Sequence, residues 1–188
     1  QHGRTELGMQ LYPAGRKGSV TVAWEGQRPV PVDEGGWTIW APSARAHPDR
    51  AVPTALDKTG IKRVVAAFVA AARRANAIGF DMLELHGAHG YLLHSFLSPF
   101  GNQRDDEYGG SRDGRMRMAL EVFDAVRAVW PEDKPIGMRL SATDWAEGGW
   151  TLDDSVVLAS RLRERGCDYI TASSGGVTAE QKLKIHPG

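Results

Sequence analysis

The residues best suited to chemistry in this chain are two histidines and a tyrosine in one short segment. His86, His89 and Tyr91 follow an apolar stretch with the spacing His-x-x-His-x-Tyr. An imidazole donates, accepts or carries a proton near neutral pH, and a phenol can donate one. Three such groups at the end of one strand are typical of a site that polarises a substrate oxygen and delivers a proton. The alternative is that both histidines are loop residues that bond to the backbone.

The same spacing also fits a metal site, because two imidazoles can supply two ligands. No third ligand is evident at a neighbouring strand end. The chain has one cysteine, Cys167, which precedes its strand and does not follow it. A metal-dependent barrel hydrolase that uses His86 and His89 as ligands therefore stays open as an alternative.

Two further polar side chains occur in apolar strand-like sequences. Arg139 lies in the stretch Ile-Gly-Met-Arg-Leu, and a buried arginine requires a partner. Its guanidinium either pairs with Glu84 or faces an anionic or electron-rich ligand, and the residues alone favour neither. Gln10 stands beside Leu11 near another strand end. A buried amide can read the edge of a heterocycle, but by itself the sequence favours an amide bonded to the backbone.

Composition limits the classes of function that fit this chain. The chain has 188 residues, with 23 Lys and Arg against 23 Asp and Glu, so the balanced charge argues against a nucleic-acid partner. No apolar run approaches the roughly 18 residues of a membrane span. One cysteine excludes an internal disulfide and is consistent with a reducing compartment. We therefore expect a single cytoplasmic domain that acts on a small molecule, without nucleic-acid or membrane partners.

Hydrophobic periodicity predicts the elements that position these residues. Strands and helices alternate, which favours an α/β fold with a parallel sheet. Leu83 and Leu85 should face one side of their strand, with Glu84 and His86 on the other. The candidate residues lie at carboxyl ends of strands, where such folds place their sites. The predicted strands are 9–12, 80–86, 135–141 and 167–173, and the predicted helices are 57–78, 113–130 and 151–165, the last with a capping box.

Two long segments separate these elements. Residues 17–56 contain repeated prolines and glycines, so we expect a long loop with short strands at 20–24 and 37–40. Residues 87–112 are rich in Gly, Asp and Arg, and we expect a second loop there. Because this second loop begins directly after His86, it is interpreted as the active-site loop.

Taken together, these residues resemble the Old Yellow Enzyme family of NADH:flavin oxidoreductases, the FMN-dependent ene-reductases. Several ordered motifs at consistent spacing carry the resemblance, and together they are more specific than any one of them. The run Ser-Ala-Thr-Asp-Trp and the second histidine, His89, are similar to the thermophilic-like class III branch, which includes xenobiotic reductases. The matching motifs lie at residues 10–17, 86–99, 102–111, 139–145 and 173–176.

The resemblance implies a (β/α)8 TIM barrel with FMN at the carboxyl ends of its strands. A full barrel needs about 250 residues, so we expect a partial barrel of about strands 3–6 with their helices. Residues 1–188 are interpreted as the central segment of one FMN-binding domain, homo-oligomeric when full length. Alone, this segment should bind FMN poorly. A different-class alternative is a truncated barrel fragment without independent catalysis.

The resemblance also implies an activity and residue roles. The family reduces activated C=C bonds of α,β-unsaturated carbonyl or nitro compounds, with hydride passing from NADPH or NADH to flavin N5 and then to substrate. His86 and His89 would hydrogen-bond the substrate oxygen, and Tyr91 would supply the proton. Arg139 would lie near flavin N1 and the C2 carbonyl, and Gln10 would read the pyrimidine edge. The residues do not decide between NADPH and NADH.

Overall fold

The protein is built on a sheet of four parallel strands, as the predicted alternation indicates. The computed structural model describes residues 5–182, so the termini of the predicted domain 1–188 lie outside the described residues. The strand order in the sheet is β1-β4-β5-β6, and β2 pairs with β3 in a second, two-stranded parallel sheet. The strands are β1 (Gly8–Leu11), β2 (Trp40–Ala41), β3 (Thr54–Ala55), β4 (Met82–Gly87), β5 (Ile136–Ser141) and β6 (Tyr169–Ser173).

The helices begin and end at residues that satisfy their terminal backbone groups. They are α1 (Lys58–Ala77), α2 (Leu92–Leu97), α3 (Arg112–Arg127) and α4 (Leu152–Arg163). The Asp57 carboxylate caps α1, and the predicted capping box of Thr151 and Asp154 opens α4. After α1, Gly79 takes a φ of 90°, which favours glycine and turns the chain into β4. Within residues 5–182, no helix combines the length and apolarity needed to cross a bilayer.

One face of the sheet forms the apolar core with the helices. Leu83 and Leu85 of β4 and Ile136 and Met138 of β5 are fully buried in one cluster with side chains of α1, α3 and α4. Burying one such side chain contributes about 1.5–3 kcal/mol. Because side chains alternate along a strand, burial of this row commits the intervening residues to the other face.

The opposite face carries a row of polar side chains in register. His86 pairs with Arg139, which in turn pairs with Thr171. Two residues before His86 on β4, Glu84 pairs with Gln10 of β1. Parallel neighbours in register share a face, so the sheet collects these polar groups in one place. This arrangement agrees with the alternation predicted for β4.

The two predicted loops differ from the expectation in opposite ways. The first lacks most of the strand residues predicted for it, and the second contains a helix. The strand predicted at 20–24 is wrong, because only Val20 bridges, to Pro29, and Ala23–Glu25 forms a 3₁₀ turn. Of the strand predicted at 37–40, only Trp40 is in β2. The segment 87–112 contains α2, and all six residues of this helix are buried. A helix of this length is stabilised by tertiary packing and is too short to show a periodic pattern.

Candidate active site

The predicted histidines and tyrosine form one cluster of rings at the carboxyl end of β4. The ring centroid of His86 lies 5.1 Å from that of His89 and 5.3 Å from that of Tyr91. Tyr12, just after β1, joins the cluster, with centroid distances of 5.0 Å to Tyr91 and 5.5 Å to His86. Sequence reasoning assigned no function to Tyr12, because its proximity depends on the pairing of β1 with β4.

His89 is held by residues from three other parts of the chain. Its backbone N–H donates to Ser141 Oγ at 2.9 Å, and its ring Nε2 lies 2.6 Å from Ser173 Oγ. Lys17 Nζ donates to the His89 carbonyl at 2.7 Å. The φ of His89 is 58°, a left-handed conformation that non-glycine residues rarely adopt. These bonds fix an unusual backbone geometry beside the ring cluster.

Both histidines of the cluster favour the neutral form. Burial lowers the pKa of His86 to about 4, and positive charge on His89 and Arg139 adds to the effect. Burial and the charge of Arg139 also lower the pKa of His89. A neutral imidazole offers one N–H donor and one acceptor. Near neutral pH, each ring can therefore donate one hydrogen bond to a ligand oxygen without carrying a charge.

Glu84 bonds to neighbours other than Arg139. Its carboxylate accepts from Gln10 Nε2 and from Thr171 Oγ1, each at 2.5 Å. In the described part of the chain, no ion pair joins Glu84 to Arg139, so the paired-arginine alternative is wrong. The amide of Gln10 bonds to a side chain, and not to the backbone as its residues alone suggested. The Arg139 guanidinium is left beside His86 without a carboxylate partner.

Two buried polar atoms in this site have no hydrogen-bond partner among residues 5–182. They are His86 Nδ1 and Arg139 Nε, from residues paired in register on one face of the sheet. An unsatisfied buried polar group destabilises a protein by about 1–3 kcal/mol, so each such atom requires a reason. Hydrogen-bonding ligands at the strand ends would satisfy both. A flavin, with carbonyl oxygens and ring nitrogens on one edge, fits the Arg139 donor, and the oxygen of a second ligand fits His86.

A fully buried histidine and aspartate support the turn between His89 and Tyr91. His94 Nδ1 accepts from the Gly90 N–H at 2.8 Å, and its Nε2 lies 2.9 Å from Asp144 Oδ1. Asp144 Oδ2 accepts from Ser98 Oγ and from the Trp150 N–H. Burial alone would raise the pKa of Asp144, but its bonds to His94, Ser98 and Trp150 lower it. Sequence reasoning missed this network, because His94 and Asp144 lie 50 residues apart without a local pattern.

Gly90 marks a close approach of two loops. Its φ is 74°, and a Cβ on it would lie 2.2 Å from the Gly176 carbonyl oxygen. We expect Gly90→Ala to destabilise the protein by about 2–5 kcal/mol, because the clash adds to left-handed strain of about 1–2 kcal/mol. Gly148 has the same φ with open space around it, so Gly148→Ala should show the strain alone. Urea unfolding measures both, and equal losses would contradict the close approach.

Residues 5–182 contain no group of three or more His, Cys, Asp or Glu side chains that could hold a metal ion. His86 and His89 are therefore without a third side chain of this kind in the described structure. Cys167 lies before β6, where its Sγ contacts the Tyr169 carbonyl. The geometry gives no support to the metal-dependent hydrolase.

Relatives of known identity agree with the fold and the motifs. The family model of the NADH:flavin oxidoreductase / NADH oxidase family matches residues 2–185. An NADPH dehydrogenase of Geobacillus sp. (strain WCH70) is 42% identical over 189 residues, covering 100% of this chain and 50% of the relative. An NADH:flavin oxidoreductase of Gibberella zeae is 43% identical over 198 residues, covering 97% and 48%. The chain spans about half the length of these relatives.

Solved structures extend the agreement to three dimensions. Morphinone reductase superimposes with a TM-score of 0.73 at 30% identity, over 89% of this chain and 47% of that one. An Old Yellow Enzyme homologue from Zymomonas mobilis gives 0.70 at 27% identity, over 93% and 51%. These coverages agree with the predicted partial (β/α)8 barrel, while the class III branch stays a prediction. The chain belongs to the NADH:flavin oxidoreductase / NADH oxidase family, which is the Old Yellow Enzyme family.

Proposed function

We propose that this chain provides the substrate-binding centre of an FMN-dependent NAD(P)H oxidoreductase. The enzyme reduces activated C=C bonds of α,β-unsaturated carbonyl or nitro compounds. The observation that carries the proposal is the His86 and Arg139 pair of unpartnered buried atoms beside a ring cluster that can donate protons. NADPH dehydrogenases among the relatives, and a morphinone reductase structure in complex with tetrahydroNAD, support a nicotinamide donor.

Gln10 and Arg139 are the residues proposed to hold the flavin. FMN, when bound, supplies the transfer of two electrons from NADPH or NADH to the substrate. Arg139 carries a permanent charge with several N–H donors, which favours an electron-rich heterocycle. The bond from Gln10 to Glu84 orients the Gln10 amide at the end of β1.

His86 and His89 are proposed to bind the substrate oxygen. Two neutral N–H donors stabilise the negative charge that develops on this oxygen as the double bond is reduced. Tyr91 is proposed to donate the proton to the substrate α-carbon. Lys17 Nζ lies 5.6 Å from the centroid of the Tyr91 ring, which places a cation beside the proposed proton donor.

Anaerobic spectroscopy tests this function, with FMN added at a concentration high enough to load the weak site expected of this segment. We expect NADPH to bleach the flavin absorbance and an unsaturated ketone such as cyclohexenone to restore it, because N–H donors from His86 and His89 would polarise the double bond through the carbonyl oxygen. A saturated ketone such as cyclohexanone is the control and should leave the flavin reduced. A bound flavin that NADPH reduces but neither an unsaturated ketone nor a nitroalkene reoxidises would refute the proposed substrates. A folded protein that binds no FMN would favour the non-catalytic fragment.

The substrate class, the assembly, the location and the partners of the enzyme are proposals as well. A small-molecule substrate follows from the function above. Homo-oligomeric assembly, a cytoplasmic location and the lack of nucleic-acid or membrane partners stay predictions.

A further inference from the structure

A cavity of about 370 Å³ lies beside the candidate active site. Its walls come from the segment after β1, the segment before β3 and the segment after β6. The cavity size falls in the range of small-molecule sites. Among its lining residues with titratable side chains, four are basic and two are acidic: Arg16, Arg45, His47 and Arg50 against Asp49 and Glu180.

The basic residues of this cavity are not neutralised by carboxylates. Among residues 5–182, no ion pair within 4 Å involves Arg16, Arg45, His47 or Arg50. Arg16 is only 2% exposed and donates to the backbone carbonyls of Arg45, Ala46 and Val177. Carbonyl oxygens satisfy its hydrogen bonds without cancelling its charge. A buried charge without a counter-ion is unfavourable.

The cations of this region also disfavour one another. Burial lowers the pKa of Arg16 to about 10, the charge of Arg45 adds to this, and Asp144 offsets only part of it. Burial lowers the pKa of the adjacent Lys17 to about 8, with further contributions from Arg16 and Arg50. Burial, followed by the charge of Lys17, lowers the pKa of His47 to about 4. An anion in the cavity would relieve each of these effects.

Unpartnered buried atoms mark this cavity as they mark the active site. Four such side-chain atoms occur in the described residues. Two are His86 Nδ1 and Arg139 Nε at the strand ends, and the other two are Arg16 Nε and Arg50 Nε at the cavity. The basic cavity therefore combines an uncompensated positive charge with donors that have no acceptor, and both features point to an anionic ligand.

The basic cavity adjoins the candidate active site through residues that contact both. Lys17 follows Arg16 directly and donates to the His89 carbonyl at 2.7 Å. His47 Nε2 lies 3.3 Å from the Gly176 carbonyl oxygen. Gly176 in turn packs against His89, since a Cβ on Gly176 would lie 2.8 Å from the His89 Cα. A ligand with a reactive group at the ring cluster and an anionic tail can therefore be held by both sites.

We propose that the basic cavity binds a phosphate or diphosphate group, and that the group it takes is the phosphate portion of the nicotinamide dinucleotide. The second part rests on the proposed function. Guanidinium groups match phosphate oxygens through paired hydrogen bonds. Three arginines line this cavity. The terminal nitrogens of Arg16 and Arg50 already donate to protein oxygens, so Arg45 is the guanidinium available to bind phosphate. The dinucleotide is the anionic substrate that the proposed reaction requires beside His86, His89 and Tyr91.

Calorimetric titration with inorganic diphosphate tests the first part without FMN. We expect saturable binding that Arg45→Gln weakens at least about tenfold, the typical effect of losing a charged hydrogen bond. Arg45 is exposed and its side chain makes no hydrogen bond in the structure, so the variant should fold. Arg73→Gln, on the exposed face of α1, is the matched control and should bind normally. Absence of saturable binding, or equal losses in both variants, would overturn the proposal.

Competition by nucleotides identifies the source of the phosphate. We expect adenosine 2′,5′-bisphosphate to displace diphosphate and to lose affinity in Arg45→Gln. If diphosphate binds but neither this nucleotide nor adenosine 5′-monophosphate displaces it, the dinucleotide part is overturned and the cavity serves a free phosphate ligand. Because no flavin is present, a failure of flavin reduction leaves these results unaffected. The two proposals can therefore fail separately.

Discussion

Tyr91→Phe should slow reduction of an α,β-unsaturated substrate about 10²- to 10⁴-fold, the usual contribution of a positioned acid. Reduction of the flavin by NAD(P)H should stay nearly unchanged, because that step needs no proton from the phenol. The substitution keeps the ring, which packs within 5.3 Å of His86 and 5.0 Å of Tyr12 between centroids. Only the hydroxyl is lost, so the cluster should retain its shape.

Stopped-flow measurement of the two half-reactions separates these effects. Tyr12→Phe is the matched control, because it removes a neighbouring hydroxyl from the same cluster, and we expect it to preserve substrate reduction. Solvent deuterium should slow substrate reduction in the unmodified protein and have a smaller effect in Tyr91→Phe, where the phenol proton is absent. An equal loss in both half-reactions of Tyr91→Phe would contradict the role of this residue as proton donor.

Asp144→Ala should lower the free energy of unfolding by at least about 3 kcal/mol, because three buried donors would lose their acceptor and each unsatisfied group costs about 1–3 kcal/mol. The side chains of His94 and Asp144 are both fully buried. The substitution would leave the His94 Nε2, the Ser98 hydroxyl and the Trp150 N–H without their acceptor. The turn at Gly90, which His94 holds, should loosen as well.

Urea unfolding compares this variant with a matched exposed pair. Asp113 pairs with Arg161 at 2.9 Å, but its side chain is 62% exposed. Asp113→Ala should therefore change stability by only about 0–1 kcal/mol. Asp144→Asn keeps the shape and one acceptor, and it should lose less than Asp144→Ala while remaining folded. A loss below about 1 kcal/mol in Asp144→Ala would show that the network does not stabilise the turn.

Patterns among residues close in sequence predicted the main strands and helices of this protein. The apolar row of Leu83 and Leu85 and the capping box at Thr151 each depend on residues a few positions apart, and the structure has both. Parallel pairing followed from the alternation of strands and helices. The segment 17–56 was less predictable, because its short strands β2 and β3 are stabilised by contacts and not by a pattern of their own.

The candidate site was predictable in part for the same reason. His86, His89 and Tyr91 lie within one short segment, so their spacing alone indicated a cluster. The partner of Arg139 was not predictable. Glu84 was available on the neighbouring strand, yet it bonds to Gln10 and Thr171. Which of several polar neighbours pairs with a side chain depends on register and rotamer, and a single sequence specifies neither directly.

The sequence by itself determined the family motifs, the alternation of strands and helices, and the grouping of His86, His89 and Tyr91 after β4. Each of these depends on residues that are close together along the chain. Only the tertiary structure decided the buried pair of His94 and Asp144, the contact of Gly90 with Gly176, and the basic cavity around Arg16. These features join residues separated by 29 to 161 positions. They exist because parallel strands bring their carboxyl ends, and the loops that follow, to one edge of the sheet.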